Sequence, residues 1–136
     1  KLWYDLDAGQ KYIRVSPINV KPMPSRPVEL GAWVCGDNSG DIVCCRFVDS
    51  TGQVFQSPGF TINWLGWRYR SISIEPLDCG RWGGANDGNI HPPLKWDTVF
   101  LLDGEGKRTK GTIYLGPIML VSEQEKPQET STASSK

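Results

Sequence analysis

A long glycine-rich segment, residues 78–95, carries the side chains best suited to ligand chemistry. Trp82 offers a flat apolar face, and Asn86, Asp87 and His91 offer planar polar groups. Aromatic rings cover the apolar C–H side of a pyranose, and polar side chains hydrogen-bond its hydroxyls. Loops longer than about 12–15 residues in a compact domain are usually functional or disordered, and the apolar content favours order here. The segment is therefore a candidate ligand site, although His91 could equally hold the loop by bonding a backbone carbonyl.

Two arginines add a second set of polar groups. Alternation in a predicted strand at 41–49 turns Arg46 away from the face that carries Phe47, and a strand at 68–75 offers Arg70. We expect Arg46 and Arg70 to share an open concave surface, where two guanidinium groups would suit an acidic or sulfated glycan. The alternative is that each arginine pairs with a carboxylate or lies along the surface.

The chain has six tryptophans, which is many for its length. Trp33, Trp64 and Trp67 fall within or beside predicted strands, and we expect each to fill the core rather than to present a sugar platform. Trp96, at the end of the long loop, is expected to anchor that loop to the core. Trp82 is the tryptophan predicted to stack on a ligand.

The sequence gives less support for a catalytic site than for a ligand-binding site. A glycosidase needs two carboxylates about 5–10 Å apart, and Asp78 and Asp87 share one loop without a motif that pairs them. No G-x-S-x-G sequence is present, and nothing in the sequence supports a nucleophile built from Cys79 and His91. We therefore predict a non-catalytic chain.

The four cysteines match no zinc pattern, because no CxxC pair exists and there is one histidine. Cys44 and Cys45 would point to opposite faces of a strand and are not expected to bond to each other. We interpret the cysteines as small buried hydrophobic residues. A single disulfide that involves Cys35 or Cys79 is the alternative.

The length and charge of the chain limit the number of domains and the classes of partner. The 136 residues suit one compact domain. Fifteen basic residues balance fifteen acidic ones, which removes the long-range field that attracts nucleic acid or anionic membranes. No apolar run approaches the roughly 20 residues of a membrane span, and the chain has neither an initial methionine nor a signal peptide. We expect a piece of a longer polypeptide.

The elements that must position these residues are strands. Gly and Pro recur every few residues between short runs rich in Val, Ile and aromatic residues, which is typical of an all-β sandwich or barrel. A hairpin turn is predicted at Ser50-Thr51-Gly52, and another turn at residues 103–106. Residues 1–122 form the predicted domain, and the polar residues 123–136 a linker or disordered tail. Strands are predicted at 11–15, 29–35, 41–49, 53–56, 68–75, 98–103 and 112–121, with an extended proline-rich connection at 17–27.

Four segments in order resemble jelly-roll carbohydrate-binding modules of the galactose-binding-like type, which are attached to bacterial glycoside hydrolases and lyases. They are Gly-Asp-Asn-Ser-Gly-Asp at 36–41 followed by Ile42–Phe47, Asp-Ser-Thr-Gly at 49–52, Ile-Asn-Trp-Leu-Gly-Trp-Arg at 62–68, and Gly-Thr-Ile-Tyr-Leu-Gly-Pro-Ile at 111–118. Their order and spacing carry the resemblance across residues 29–121.

The resemblance implies a jelly-roll β-sandwich of two antiparallel sheets. It also implies a secreted or cell-surface bacterial module that binds polysaccharide beside a catalytic domain of the same chain. The family's last strand often supplies an Asp to a structural calcium, but Gly116 stands there. We therefore expect no cofactor, and a structural calcium held by other residues is the alternative. Calcium takes oxygen ligands, and the remaining candidates for them are scattered: Asp5, Asp7, Asp97 and Asp103.

Two hypotheses remain open. The first is glycan binding through a concave sheet and the 78–95 loop. The second is an accessory sandwich that packs against a catalytic domain and binds no sugar. A solvent-open groove lined by Trp82, Arg46 and Arg70 would favour the first. A buried Trp82 beneath an apolar outer sheet face would favour the second.

Overall fold

A computed structural model describes residues 1–7, 12–23 and 27–122, and within them the chain is almost entirely β. One short 3-10 turn, Pro76–Asp78, interrupts the strands. The prediction of an all-β sandwich of two antiparallel sheets is confirmed. The strands are β1 Leu2–Leu6, β2 Tyr12–Val15, β3 Pro27–Asp37, β4 Ile42–Val48, β5 Val54–Gln56, β6 Phe60–Thr61, β7 Leu65–Ser73, β8 Gly80–Trp82, β9 Lys95–Leu102, β10 Thr109–Leu115 and β11 Met119–Ser122.

The first sheet, here the β3 sheet, is built around the longest strand. β7 pairs with one edge of β3 along its length, from Glu29↔Ser73 to Asp37↔Leu65. The other edge of β3 is shared by β10 and β11, and β1 lies beyond β10. Because β10 and β11 pair with different parts of that edge, a line across the sheet from β1 to β7 passes over four strands, β1, β10, β3 and β7.

The second sheet, here the β4 sheet, has the order β2-β9-β4-β5-β8, with β6 also paired to β4. A bulge between Arg46 and Phe47 shifts the register of β4 against β9. Successive strands cross repeatedly from one sheet to the other, so residues distant in sequence meet in each sheet. The chain's local turns therefore do not by themselves decide which strands become neighbours.

The core lies between the sheets and follows the period-2 pattern of strands. In β4 the residues Val43, Cys45 and Phe47 are buried against the opposite sheet, as predicted. The alternate residues of each strand face outward, and these outward faces carry the candidate ligand residues. The buried core includes Tyr4, Leu6, Leu30, Val34, Ile62, Trp64, Ile72, Ile74, Leu101 and Ile113.

Several predicted boundaries need correction. β1, β6 and β8 had no counterpart among the predicted strands, and β3, β7 and β9 extend further toward the amino terminus than predicted. The single strand expected at 112–121 is two strands, because Pro117 has no backbone N–H and the chain leaves the sheet between Leu115 and Met119.

Both predicted turns are confirmed. The Gly52 amide bonds the Asp49 carbonyl at 3.1 Å, and the Asp103 carboxylate accepts the amides of Glu105 and Gly106 at 3.0 and 2.8 Å. The predicted tail at 123–136, Lys11 of the first predicted strand, and residues 24–26 of the proline-rich connection lie outside the described residues. None of the described helical segments is long and apolar enough to cross a membrane.

Candidate functional site

Arg46 and Trp82 come together on the outer face of the β4 sheet. The Arg46 guanidinium lies over the Trp82 ring at 4.8 Å and over the Phe100 ring at 4.3 Å. Its Nε donates to the Gln56 side-chain oxygen at 2.8 Å. Residues 46, 82 and 100 are called the Arg46 stack below. Two of the residues predicted from sequence as ligand contacts are thus adjacent, and Trp82 remains 42% exposed.

Arg70 belongs to the other sheet. It pairs with Ala32 in the register of β3 and β7, and its guanidinium covers the rings of Phe60 and Trp64 at 5.0 and 5.6 Å. The prediction that Arg46 and Arg70 share one concave surface is therefore wrong. Strand alternation assigned each arginine to a face of its own strand, but it carried no information on which strands share a sheet.

The 78–95 segment is fastened to the turn that follows β4. Buried Asp49 accepts hydrogen bonds from the amides of Thr51, Gln53 and His91 at 2.9, 3.0 and 3.2 Å. Gln53 donates to the Asn89 carbonyl at 2.9 Å and accepts from the Gly88 amide at 3.0 Å. Burial raises the pKa of Asp49, but these hydrogen bonds outweigh it and lower the pKa to about 2. The loop is ordered by polar contacts to a buried turn.

Asp87 and His91, two of the residues predicted as ligand contacts, also contact each other within this loop. The His91 Nε2 lies 2.7 Å from an Asp87 carboxylate oxygen, and the other oxygen accepts the Asn89 amide at 2.9 Å. The Asn89 amide and the His91 ring lower the pKa of Asp87. Asn86 adopts a left-handed φ of 47°, a conformation that asparagine tolerates in turns. His91 holds the loop through Asp87 rather than through a backbone carbonyl.

Glycine in this loop packs closely against the turn at residues 51–53. Gly84 has φ +53°, and a Cβ built on it would lie 2.2 Å from the Gln53 amide nitrogen. The Ala85 amide bonds the Thr51 hydroxyl at 3.1 Å. The close approach that glycine permits here is therefore used by the 51–53 backbone.

The outer face of the β3 sheet carries a row of exposed aromatic residues, two of which, Trp33 and Trp67, were predicted to fill the core. Trp33 is 50% exposed and Trp67 57%, so the prediction that they are buried is wrong; Trp64, at 5%, fills the core as predicted. Tyr69, Tyr114 and Trp3 are exposed on the same side. We call these five residues the aromatic face: Trp3, Trp33, Trp67, Tyr69 and Tyr114.

The register of the strands arranges these rings in one band. Cys35 lies between Tyr114 on β10 and Trp67 on β7, and the two rings lean together with centroids 6.4 Å apart. Tyr69 lies opposite Trp33, at a centroid separation of 5.9 Å with an edge-to-face geometry. Three strand spacings of about 4.8 Å separate β1 from β7, so the band is about 14 Å long.

Tyr69 lies flat because Gly31 leaves room for it. A Cβ built on Gly31 would come within 1.8 Å of the Tyr69 hydroxyl oxygen. Gly31 and its neighbour Trp33 belong to the outward-facing set of β3, whereas Leu30 and Val34 face the core. The alternation of inward and outward residues along β3 can be read from the sequence, and it predicts that Trp33 faces outward.

The cysteines are unpaired, so the disulfide alternative is not realised among them. Cys44 and Cys45 are buried, as predicted, whereas Cys35 and Cys79 are partly exposed. Burial raises the pKa of the Cys79 thiol to about 11. A nucleophilic thiol requires a lowered pKa, so Cys79 lacks the electrostatics of a Cys–His nucleophile.

The carboxylates considered for calcium have other partners. Asp97 lies 3.4 Å from the Arg14 guanidinium, and Arg108 bonds Asp5 and lies 3.5 Å from Asp7. The described residues hold no group of three or more His, Cys, Asp or Glu arranged to bind a metal ion. The candidate site is accordingly built from aromatic rings and arginine.

Comparisons with known proteins give no relative: no family model, curated protein or solved structure matches this chain.

Proposed function

We propose that this domain is a non-catalytic carbohydrate-binding module and that its aromatic face binds the glycan. The observation that carries the proposal is the row of exposed rings on the β3 sheet. Soluble proteins rarely expose large contiguous apolar patches without a ligand or partner. Trp33 and Trp67 are each at least half exposed although the sandwich has a core to receive them.

The shape of the band supports an extended ligand. Its rings are held by strands rather than by loops, and sites built on regular elements are better preorganised. The Trp67–Tyr114 and Trp33–Tyr69 pairs restrain one another's rotamers through ring contacts. A rigid band longer than one pyranose ring suits consecutive sugars of a polysaccharide chain.

The polar neighbours of the rings favour a neutral glycan. Ser71 lies opposite Gly31 on β7, and Thr112 lies opposite Trp3 on β10. Both hydroxyls can donate and accept hydrogen bonds, which suits sugar hydroxyls. Arg68 and Arg70 alternate to the opposite face of β7. On the outer face of β1 and β10 the charged residues Asp5 and Lys110 lie opposite each other, so their charges offset. The module would serve a secreted or cell-surface glycan-degrading enzyme, as the family resemblance implies.

Affinity gel electrophoresis tests the proposal. The domain is run through gels that contain neutral, acidic or sulfated polysaccharides, beside a Trp33→Ala/Trp67→Ala double variant. We expect at least one neutral polysaccharide to retard the parent domain and not the double variant. The proposal fails if no polysaccharide retards the domain, or if the folded double variant is retarded equally.

A second function is favoured by a separate observation. Met119 and Val121 extend the outer apolar surface of the β3 sheet beside Gly31 and Glu29, and both are exposed. Aliphatic side chains contribute little to sugar stacking but much to protein contacts. An accessory sandwich that packs against a catalytic domain would use this surface. A Met119→Lys/Val121→Lys variant with unchanged retardation would exclude the aliphatic part from glycan binding, as the accessory function requires.

A further inference from the structure

The Arg46 guanidinium, on the outer face of the β4 sheet, has no carboxylate partner among the described residues. Among the described residues Arg46 makes one side-chain hydrogen bond, from Nε to Gln56, and no ion pair. Neither Nη nitrogen is fully enclosed, since neither is a buried unpaired atom of the described chain. The forked edge of the guanidinium is available to a ligand.

Two rings and one hydrogen bond restrain the Arg46 side chain. The guanidinium carbon lies 4.3 Å from the centroid of the buried Phe100 ring and 4.8 Å from that of the Trp82 ring. Gln56 holds Nε at 2.8 Å. An arginine held by two rings and at Nε loses little rotamer freedom when its Nη groups engage an oxyanion, and the guanidinium fork matches carboxylate and sulfate geometry.

The surrounding charge has the sign that an anion requires. Lys95 lies opposite Val48 on the same outer face, and Arg14 lies opposite Phe100. The charge of Asp97, on the neighbouring strand β9, is offset by the Arg14 guanidinium, which lies 3.4 Å from its carboxylate. The balance near the Arg46 stack is therefore positive, although the whole chain has a formal net charge of zero.

We propose that the Arg46 stack is a second ligand site, which takes a carboxylate or sulfate group carried by a sugar. The anion approaches in the guanidinium plane and accepts hydrogen bonds from both Nη atoms. The exposed Trp82 ring flanks that approach with an apolar surface. Because this site and the aromatic face lie on opposite outer faces of the sandwich, one bound sugar cannot contact both. The second site stands independently of glycan binding by the β3 sheet.

Isothermal titration at low ionic strength tests this site with two matched pairs of probes. Polygalacturonate is compared with its methyl ester, and dextran sulfate with dextran. Each pair keeps the sugar backbone and removes the charge. We expect the parent domain to bind one or both charged polymers, to bind the uncharged counterparts at least roughly tenfold more weakly, and to bind less tightly as salt is raised. Binding of polygalacturonate would identify a carboxylate as the group that the site recognises, and binding of dextran sulfate would identify a sulfate.

Three variants locate the site. Arg46→Gln is expected to weaken binding of the charged polymer by roughly tenfold or more, because it removes the fork. Arg108→Gln removes the same charge beside Asp5, away from the stack, and should leave binding near the parent value. Trp33→Ala should also leave it unchanged, which separates this site from the aromatic face. Equal binding of charged and uncharged polymers by the parent, no binding of either charged polymer, or equal loss in the Arg46 and Arg108 variants would overturn the proposal.

Discussion

Truncation of Trp67 to alanine separates a binding role from a packing role. Trp67 is 57% exposed, and a tryptophan side chain presents up to about 250 Å², so roughly 140 Å² is open and one ring face offers about 70 Å² to a sugar. At about 25 cal/mol per Å², loss of that contact costs about 1.8 kcal/mol, or about 20-fold in Kd. Calorimetry with an oligosaccharide from the retarding polysaccharide measures this change.

The cost in stability is expected to be smaller than for a core tryptophan. Roughly 110 Å² of Trp67 is covered in the folded domain, which corresponds to about 2 kcal/mol once burial in the unfolded chain is allowed for. Trp64→Ala, at a buried position, should cost about 3–5 kcal/mol of the free energy of unfolding in urea. Tyr12→Ala is the matched binding control, because Tyr12 is an exposed aromatic residue on the opposite sheet. A Trp67→Ala variant with the parent's Kd, or a Tyr12→Ala variant with the same loss, would show that the Trp67 ring does not contact the glycan.

Three further predictions concern the aromatic face, the turn beneath the loop and the thiols. Gly31→Ala should displace the Tyr69 ring and weaken glycan binding while it costs less than about 1 kcal/mol in urea unfolding, since the ring can swing into solvent. The lowered pKa of Asp49 contributes stability above its ordinary value of 3.8 that is lost as pH falls toward about 2; urea titrations should show an acid-induced loss that Asp49→Asn reduces. A thiol reagent followed by mass spectrometry should label Cys35, with protection by bound glycan, and should spare Cys45, whose pKa burial raises to about 12.

The fold was predictable because its local signals agree. Turn residues at 50–52 and 103–106 mark real chain reversals, and alternation in β4 correctly separated the core residues from Arg46. The short strands β6 and β8 were missed, because two or three residues give too few positions to display a period of two. Pro117 was visible in the sequence and does divide the last predicted strand.

The candidate site was only partly predictable. Arg46 on β4 and Trp82 on β8 are brought together by β5, which pairs with both strands. No local sequence pattern encodes those pairings. Arg70 was assigned to the wrong surface for the same reason. Trp33 and Trp67 were assigned to the core on the general preference of tryptophan for burial, although alternation within β3 places Trp33 on the outward side. Position in the pleat, not residue type, decides exposure here.

The most direct measurement of the central claim follows the six tryptophan indole N–H signals by nuclear magnetic resonance during titration with a neutral oligosaccharide. The oligosaccharide is taken from the polysaccharide that retards the domain most strongly. Binding at the aromatic face predicts saturable shifts of the Trp33 and Trp67 indole signals with one shared Kd, while the buried Trp64 signal stays in place. Saturable shifts confined to Trp82, or no saturable shift at Trp33 and Trp67, would contradict the account.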